Sequence, residues 1–134
     1  MIKSKFNLGS QTINLELGWL LVSEELPNYG LDILTLFQEN NKVLQTILLD
    51  DATMLKIAYF YADRELGIEW VEFLKELDSM DNGLEKFKES FWNLVVGFSN
   101  PSVRGGLQKM WVEAKKQMKK NFDSLSSPSL QEQE

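Results

Sequence analysis

The stretch Asp50-Asp51-Ala52-Thr53-Met54-Leu55-Lys56-Ile57-Ala58-Tyr59-Phe60-Tyr61-Ala62-Asp63-Arg64-Glu65-Leu66-Gly67 decides the fold. A carboxylate at Asp50-Asp51 can accept the free N–H groups of a first helical turn. Gly67 suits the left-handed residue that ends a helix. Between them, Met54, Leu55, Ile57, Ala58, Tyr59, Phe60, Tyr61 and Ala62 cover nearly the whole circumference. A helix apolar all round is normally central to its fold. The spacing therefore predicts a central helix from Ala52 to Leu66.

Downstream, Trp70, Phe73, Leu74 and Leu77 recur at helical spacing, predicting a helix over Ile68 to Leu77. Asp78 to Gly83 is a polar loop. Asn82 followed three residues later by Glu85 resembles a capping box. Leu84, Phe87, Phe91, Leu94, Val95 and Phe98 then form a stripe of large side chains, widened by Trp92 and Val96. Asn100-Pro101 is the clearest boundary in the chain. Asn suits the cap, and Pro suits the first helical position, where its missing N–H costs nothing. A last helix is expected from there to about Phe122. Gly105-Gly106 weakens its first turns by roughly 1 kcal/mol per Gly relative to Ala, or lets another backbone approach.

Upstream, Val43, Leu44, Ile47 and Leu48 give one apolar stripe. Leu31, Leu34, Phe37 and Gln38 predict a short helix ending at Asn40-Asn41. Leu17, Leu20, Leu21 and Glu24-Glu25-Leu26 predict another, stopped by Pro27. Asn28-Tyr29-Gly30 is a turn. Over Lys3 to Glu16, Phe6 and Leu8, then Ile13, Leu15 and Leu17, alternate with polar residues around Gly9-Ser10. That pattern predicts a short hairpin, which must lean on the helices to be stable.

The expected fold is thus all-α, a compact bundle of about five to seven helices with a short N-terminal β-hairpin. One domain is expected over 1–122, with 1–16 as the hairpin and 101–122 as a basic last helix. A disordered polar tail is expected over 123–134, because that stretch lacks periodicity. A chain of 134 residues with 43% hydrophobic content can bury a real core without staples. No apolar region follows Met1-Ile2-Lys3-Ser4-Lys5, so no secretory signal is expected. No segment is apolar enough to span a bilayer; Val43 to Leu49 is too short.

Composition excludes several chemistries. With no Cys there is no disulfide, thiolate nucleophile or Cys-ligated zinc. With no His, Ser-His-Asp and Cys-His catalysis cannot be assembled. Gly105-Gly106-Leu107 lacks the spacing of a phosphate loop. Asp50-Asp51 and Asp78, Asp81 are the dense acidic spots. Asp78-Ser79-Met80-Asp81 lacks the alternating oxygen ligands of a calcium loop. No enzyme, cofactor or metal is expected.

Charge is unevenly placed. Residues 1–100 hold eight basic and sixteen acidic side chains, a net −8. Residues 101–122 hold Arg104, Lys109, Lys115, Lys116, Lys119 and Lys120 against Glu113, a net +5. Such a dipole can dock copies head-to-tail or hold an acidic partner helix. The same lysines also complement the macrodipole of the last helix. For self-association the candidates are Lys115, Lys116, Lys119 and Lys120, and the association should weaken with salt. For binding of another protein, the candidates are Leu107, Met110, Trp111, Ala114 and Met118, soft side chains on one face of the last helix. The alternative is that they close the bundle's own core. Trp111→Ala separates the two: lost binding with an intact fold marks a contact, and global unfolding marks core.

The order of these blocks resembles the tail assembly chaperones of long-tailed bacteriophages. The resembling residues are Leu48-Leu49-Asp50-Asp51, Tyr59-Phe60-Tyr61, Trp70-Val71-Glu72-Phe73-Leu74 and the block from Phe87 through Phe91-Trp92 and Phe98 to Pro101. The likeness extends over about residues 17–120. It implies a non-enzymatic protein that binds the tape measure protein, a very long helical chain, and keeps it soluble during tail assembly. It implies action in the cytoplasm of the infected host, absence from the mature virion, and a homo-oligomer or open helical array. A longer frameshifted product of the same gene also occurs in this family. A membrane is not implied. The alternative function is a small nucleic-acid-associated regulator using the basic helix, which the acidic body opposes.

Overall fold

The structure is a computed structural model. It describes the backbone of residues 2–35 and 42–132, and the side chains of residues 2–35 and 42–120. Phe37, Gln38 and Asn40-Asn41, expected to end a short helix, lie outside the described residues. The chain falls into two compact units, 1–99 and 100–134, divided just before Asn100-Pro101.

The first unit opens with strands β1 (Ile2–Leu8) and β2 (Gln11–Leu17), paired antiparallel with Phe6 opposite Ile13 and Leu8 opposite Gln11. The two-residue connection puts Gly9 at φ +61°, the left-handed conformation that a tight hairpin needs at its first central position. Period-two alternation sorts the side chains. Phe6, Leu8, Ile13, Leu15 and Leu17 are buried, while Lys3, Lys5, Asn7, Thr12 and Asn14 face water. The hairpin is therefore a wall of the core and more than an appendage to a helical bundle.

The helices of this unit are α1 (Lys42–Leu49), α2 (Asp51–Leu66), α3 (Trp70–Asp78) and α4 (Gly83–Phe98). Asp50 caps α2 as its sequence predicts, accepting from Thr53 N at 3.0 Å and Thr53 Oγ1 at 2.9 Å. Gly67 ends α2 in the left-handed conformation, also as predicted. Met54, Ile57, Ala58, Tyr61 and Ala62 of α2 are buried. From α4 the core takes Phe87, Phe91, Trp92, Leu94, Val95 and Val96.

Helix α4 lies along β1. Phe87 meets Phe6 edge-on, ring centroids 5.5 Å apart, and Gly97 lies against Ile2. Ten helical residues and four strand residues span about 15 and 13 Å, so the two run antiparallel and nearly in step. The Tyr61 hydroxyl donates to the Glu16 carbonyl at 2.6 Å and ties α2 to β2.

Two local expectations are corrected. Asn82 makes no capping hydrogen bond from its side chain; it adopts φ +56° at the entry to α4. Glu85 turns instead to Lys88, 3.2 Å away. The helical run ends at Glu25, with Leu26 as its C-cap directly before Pro27 as expected, but the chain goes straight on into a second turn. The segment after Gly18 is a wide helical turn, Leu21–Glu25, followed by a tight one, Leu26–Tyr29, and Pro27 sits at the start of the latter, where no N–H is missed. The turn closes through Gly30 N donating to the Pro27 carbonyl at 3.0 Å. Leu20, read as part of an apolar stripe, is exposed while Leu21 and Val22 are buried, because successive side chains on a helical turn point about 100° apart.

The second unit begins with the tight turn Pro101–Val103, capped by the Asn100 side chain, which accepts from Ser102 N at 3.0 Å. It continues as α5 (Arg104–Glu132). From sequence this helix is expected to end near Phe122, but its backbone continues beyond. No Gly or Pro interrupts residues 107–127, so nothing there breaks the hydrogen-bond ladder.

Candidate protein-binding surfaces

The residues singled out from sequence lie on α5. Leu107 and Trp111 are buried, Met110 and Ala114 are half-buried, and Met118 is exposed. Lys115, Lys116, Lys119 and Lys120 are all exposed. Lys115 Nζ lies 5.8 Å from the centre of the Trp111 ring, within cation–π range. Lys116 pairs loosely with Glu113 at 3.9 Å. At 100° per residue, Lys109, Val112, Lys115, Lys116 and Lys119 share one face, and Leu107, Met110, Ala114 and Met118 share the opposite one. Val112, 48% exposed, is thus an apolar side chain at the centre of a basic face.

The first unit carries two exposed apolar surfaces that sequence reasoning missed. One is a cleft of about 340 Å³ lined by Glu16, Trp19, Leu20, Leu21, Glu25, Phe60 and Arg64. Trp19 and Leu20 at its mouth are 70% and 72% exposed. The inner side of the Trp19 ring rests on Phe98, centroids 4.9 Å apart, so the indole is held in place with its outer side in water. Arg64 and Glu16 pair across the rim at 3.4 Å. The available signal was the run Trp19-Leu20-Leu21-Val22: four successive large side chains cannot all face one core from a helical turn.

The other surface surrounds the turn between α2 and α3, where Leu66, Trp70 and Val71 are exposed. Trp70 is braced from behind by Tyr59 at 5.1 Å and Phe73 at 5.8 Å. The Tyr59 hydroxyl donates to the Ile68 carbonyl at 2.9 Å, fixing the turn. Burial pushes the Tyr59 hydroxyl pKa up, and the nearby Asp63 and Glu69 carboxylates add to that. Glu69 and Glu72 adjoin Trp70 and Val71 in the chain, while the Glu65 carboxylate accepts from Asn14 N at 3.1 Å.

The Asp50-Asp51 pair has local duties. Asp50 caps α2, and Asp51 pairs with Lys88. Among the described residues no group of three or more carboxylates is placed to hold a metal ion. Among them, too, no helix is long and apolar enough to cross a membrane. No family model, curated protein or solved structure matches the chain.

Proposed function

We propose that this protein is a tail assembly chaperone of a long-tailed bacteriophage, holding the helical tape measure chain soluble until tail-tube subunits enclose it. The carrying observation is the apolar surface around the α2–α3 turn, where Val71 is 59% exposed beside a braced Trp70. Apolar side chains exposed side by side and rimmed by polar residues are the kind of surface that proteins use for contacts. The blocks that resemble the family fall on the same framework: Tyr59-Phe60-Tyr61 on α2, Trp70-Val71 on α3 and Phe87 to Phe98 on α4.

Long helices with an apolar stripe aggregate unless the stripe is covered. A cover that later lets go needs weak contacts repeated many times, and several copies along one chain supply strength through local concentration. In this reading the protein acts in the infected host's cytoplasm and leaves before the virion is complete.

The test is co-expression with the tape-measure-like chain encoded nearby. The chain stays soluble and co-purifies with the wild type, and loses much of its solubility with Val71→Asp, which leaves the fold intact. Equal solubility of the chain with and without the wild-type protein overturns the reading.

A further inference from the structure

The Trp19–Leu20 cleft asks for an occupant. Its mouth is apolar and held open, since Trp19 cannot fold inward past Phe98. Its charge is acidic. The lining holds two carboxylates, Glu16 and Glu25, against one guanidinium, Arg64, which Glu16 engages, and Glu24 adjoins Glu25 in the chain. A fitting partner is therefore a helix with one modest apolar side chain set among basic ones.

This chain contains such a helix. Val112 stands at the centre of the α5 face formed by Lys109, Lys115, Lys116 and Lys119. It is half exposed, and the lysines around it are exposed. The charge balance points the same way, with residues 1–100 at −8 and residues 101–122 at +5. Like faces of two copies repel, whereas cleft and helix attract.

We propose that the cleft seats the last helix of a second copy, with Val112 entering between Trp19, Leu20 and Phe60 and its lysines meeting Glu24 and Glu25. The contact is head-to-tail: each copy gives a helix and receives one, so association continues from copy to copy. The inference rests on charge and on the two exposed surfaces, and it stands independently of the chaperone reading.

Complementation between two defective copies tests it. Wild-type protein forms species that grow with concentration by sedimentation velocity, and they dissociate as salt rises from about 50 to about 500 mM. Leu20→Ser and Val112→Asp each change a well-exposed side chain, so circular dichroism and the thermal midpoint stay at wild-type values. Each variant alone associates at least about tenfold more weakly. Mixed in equal amounts they recover a one-to-one dimer, because the intact cleft of Val112→Asp takes the intact helix of Leu20→Ser. A Glu25→Lys copy, weak by itself, regains association with a Lys116→Glu copy.

A wild type that stays monomeric at low salt overturns the proposal. So does a mixture that fails to pair, or a pair of variants that associates like wild type. If wild type is monomeric and Leu20→Ser instead lowers the solubility of the co-expressed tape-measure-like chain, the cleft belongs to that chain and self-docking is wrong. The chaperone reading is judged separately, by Val71→Asp.

Discussion

The Lys88 ammonium, 2% exposed, donates to the carbonyl oxygen of Leu48 at 3.0 Å. Leu48 is in the last turn of α1, where carbonyls have no partner within their own helix. The same nitrogen reaches Asp51 at 2.5 Å in the first turn of α2 and Glu85 at 3.2 Å. One side chain of α4 thus joins the end of one helix to the start of the next.

Lys88→Met keeps the apolar stem but strands the Leu48 carbonyl. It should destabilise the fold by about 1–3 kcal/mol, whereas Lys86→Met, on the exposed side of the same helix, should stay within about 0.5 kcal/mol of wild type. Urea unfolding followed by tryptophan fluorescence measures both. Equal effects would mean that the Lys88 contacts contribute nothing net.

Tyr61 gives an alkaline signature. Its hydroxyl is buried and donates to the Glu16 carbonyl, and burial drives its pKa well above the ordinary tyrosine value of 10.0. The folded state favours the neutral phenol. That contribution is complete below pH 10 and declines as pH rises from there toward the folded pKa. Tyr61→Phe should cost about 1 kcal/mol at neutral pH, and its deficit against wild type should shrink above pH 10. A deficit constant with pH would show that the phenol does not titrate with unfolding.

Asp50 gives the acid signature. Hydrogen bonds from the Thr53 backbone and then the Thr53 hydroxyl hold its carboxyl below the ordinary 3.8. The folded state favours the carboxylate, so its contribution is present above pH 3.8 and lost as pH falls through the lower folded value. Asp50→Ala should unfold at lower urea than wild type at neutral pH, and the two midpoints should converge as pH falls through the lowered folded pKa.

Gly97 of α4 lies against Ile2 of β1 with no room for a side chain. A Cβ there would lie 3.0 Å from Ile2 Cγ2. Gly97→Val should destabilise by about 1–3 kcal/mol through overpacking. Ile2→Ala in the same chain should return part of that loss, because the methyl that collides is removed. Additive losses in the double variant would place the defect elsewhere.

Local chemistry was legible in the sequence. Asp50 and Asn100 as caps, Gly67 as a terminator, and the Phe87–Val96 stripe each depend on residues within one or two turns of each other. Capping by Asn82 failed because φ +56° carries its side chain away from the first-turn N–H groups. On α3 the apolar spacing was real, yet Phe73 alone of its side chains is buried, since spacing fixes a face and not what covers it. Lys88 was hidden by its type. It stands four residues after Leu84 and four before Trp92, on the apolar face of α4, and only that position marked it out.

By itself the sequence determined the helical periods, the hairpin alternation, the break at Asn100-Pro101 and the opposition of an acidic body to a basic last helix. These follow from covalent spacing and from charge, which no fold can alter. The tertiary structure decided that the hairpin is a wall of the core, that Lys88 bridges α1 and α2, and that Trp19, Leu20 and Val71 remain in water. Those outcomes depend on which faces meet. Residues forty positions apart in the chain, such as Leu48 and Lys88, come within a hydrogen bond only when the whole apolar surface is buried together.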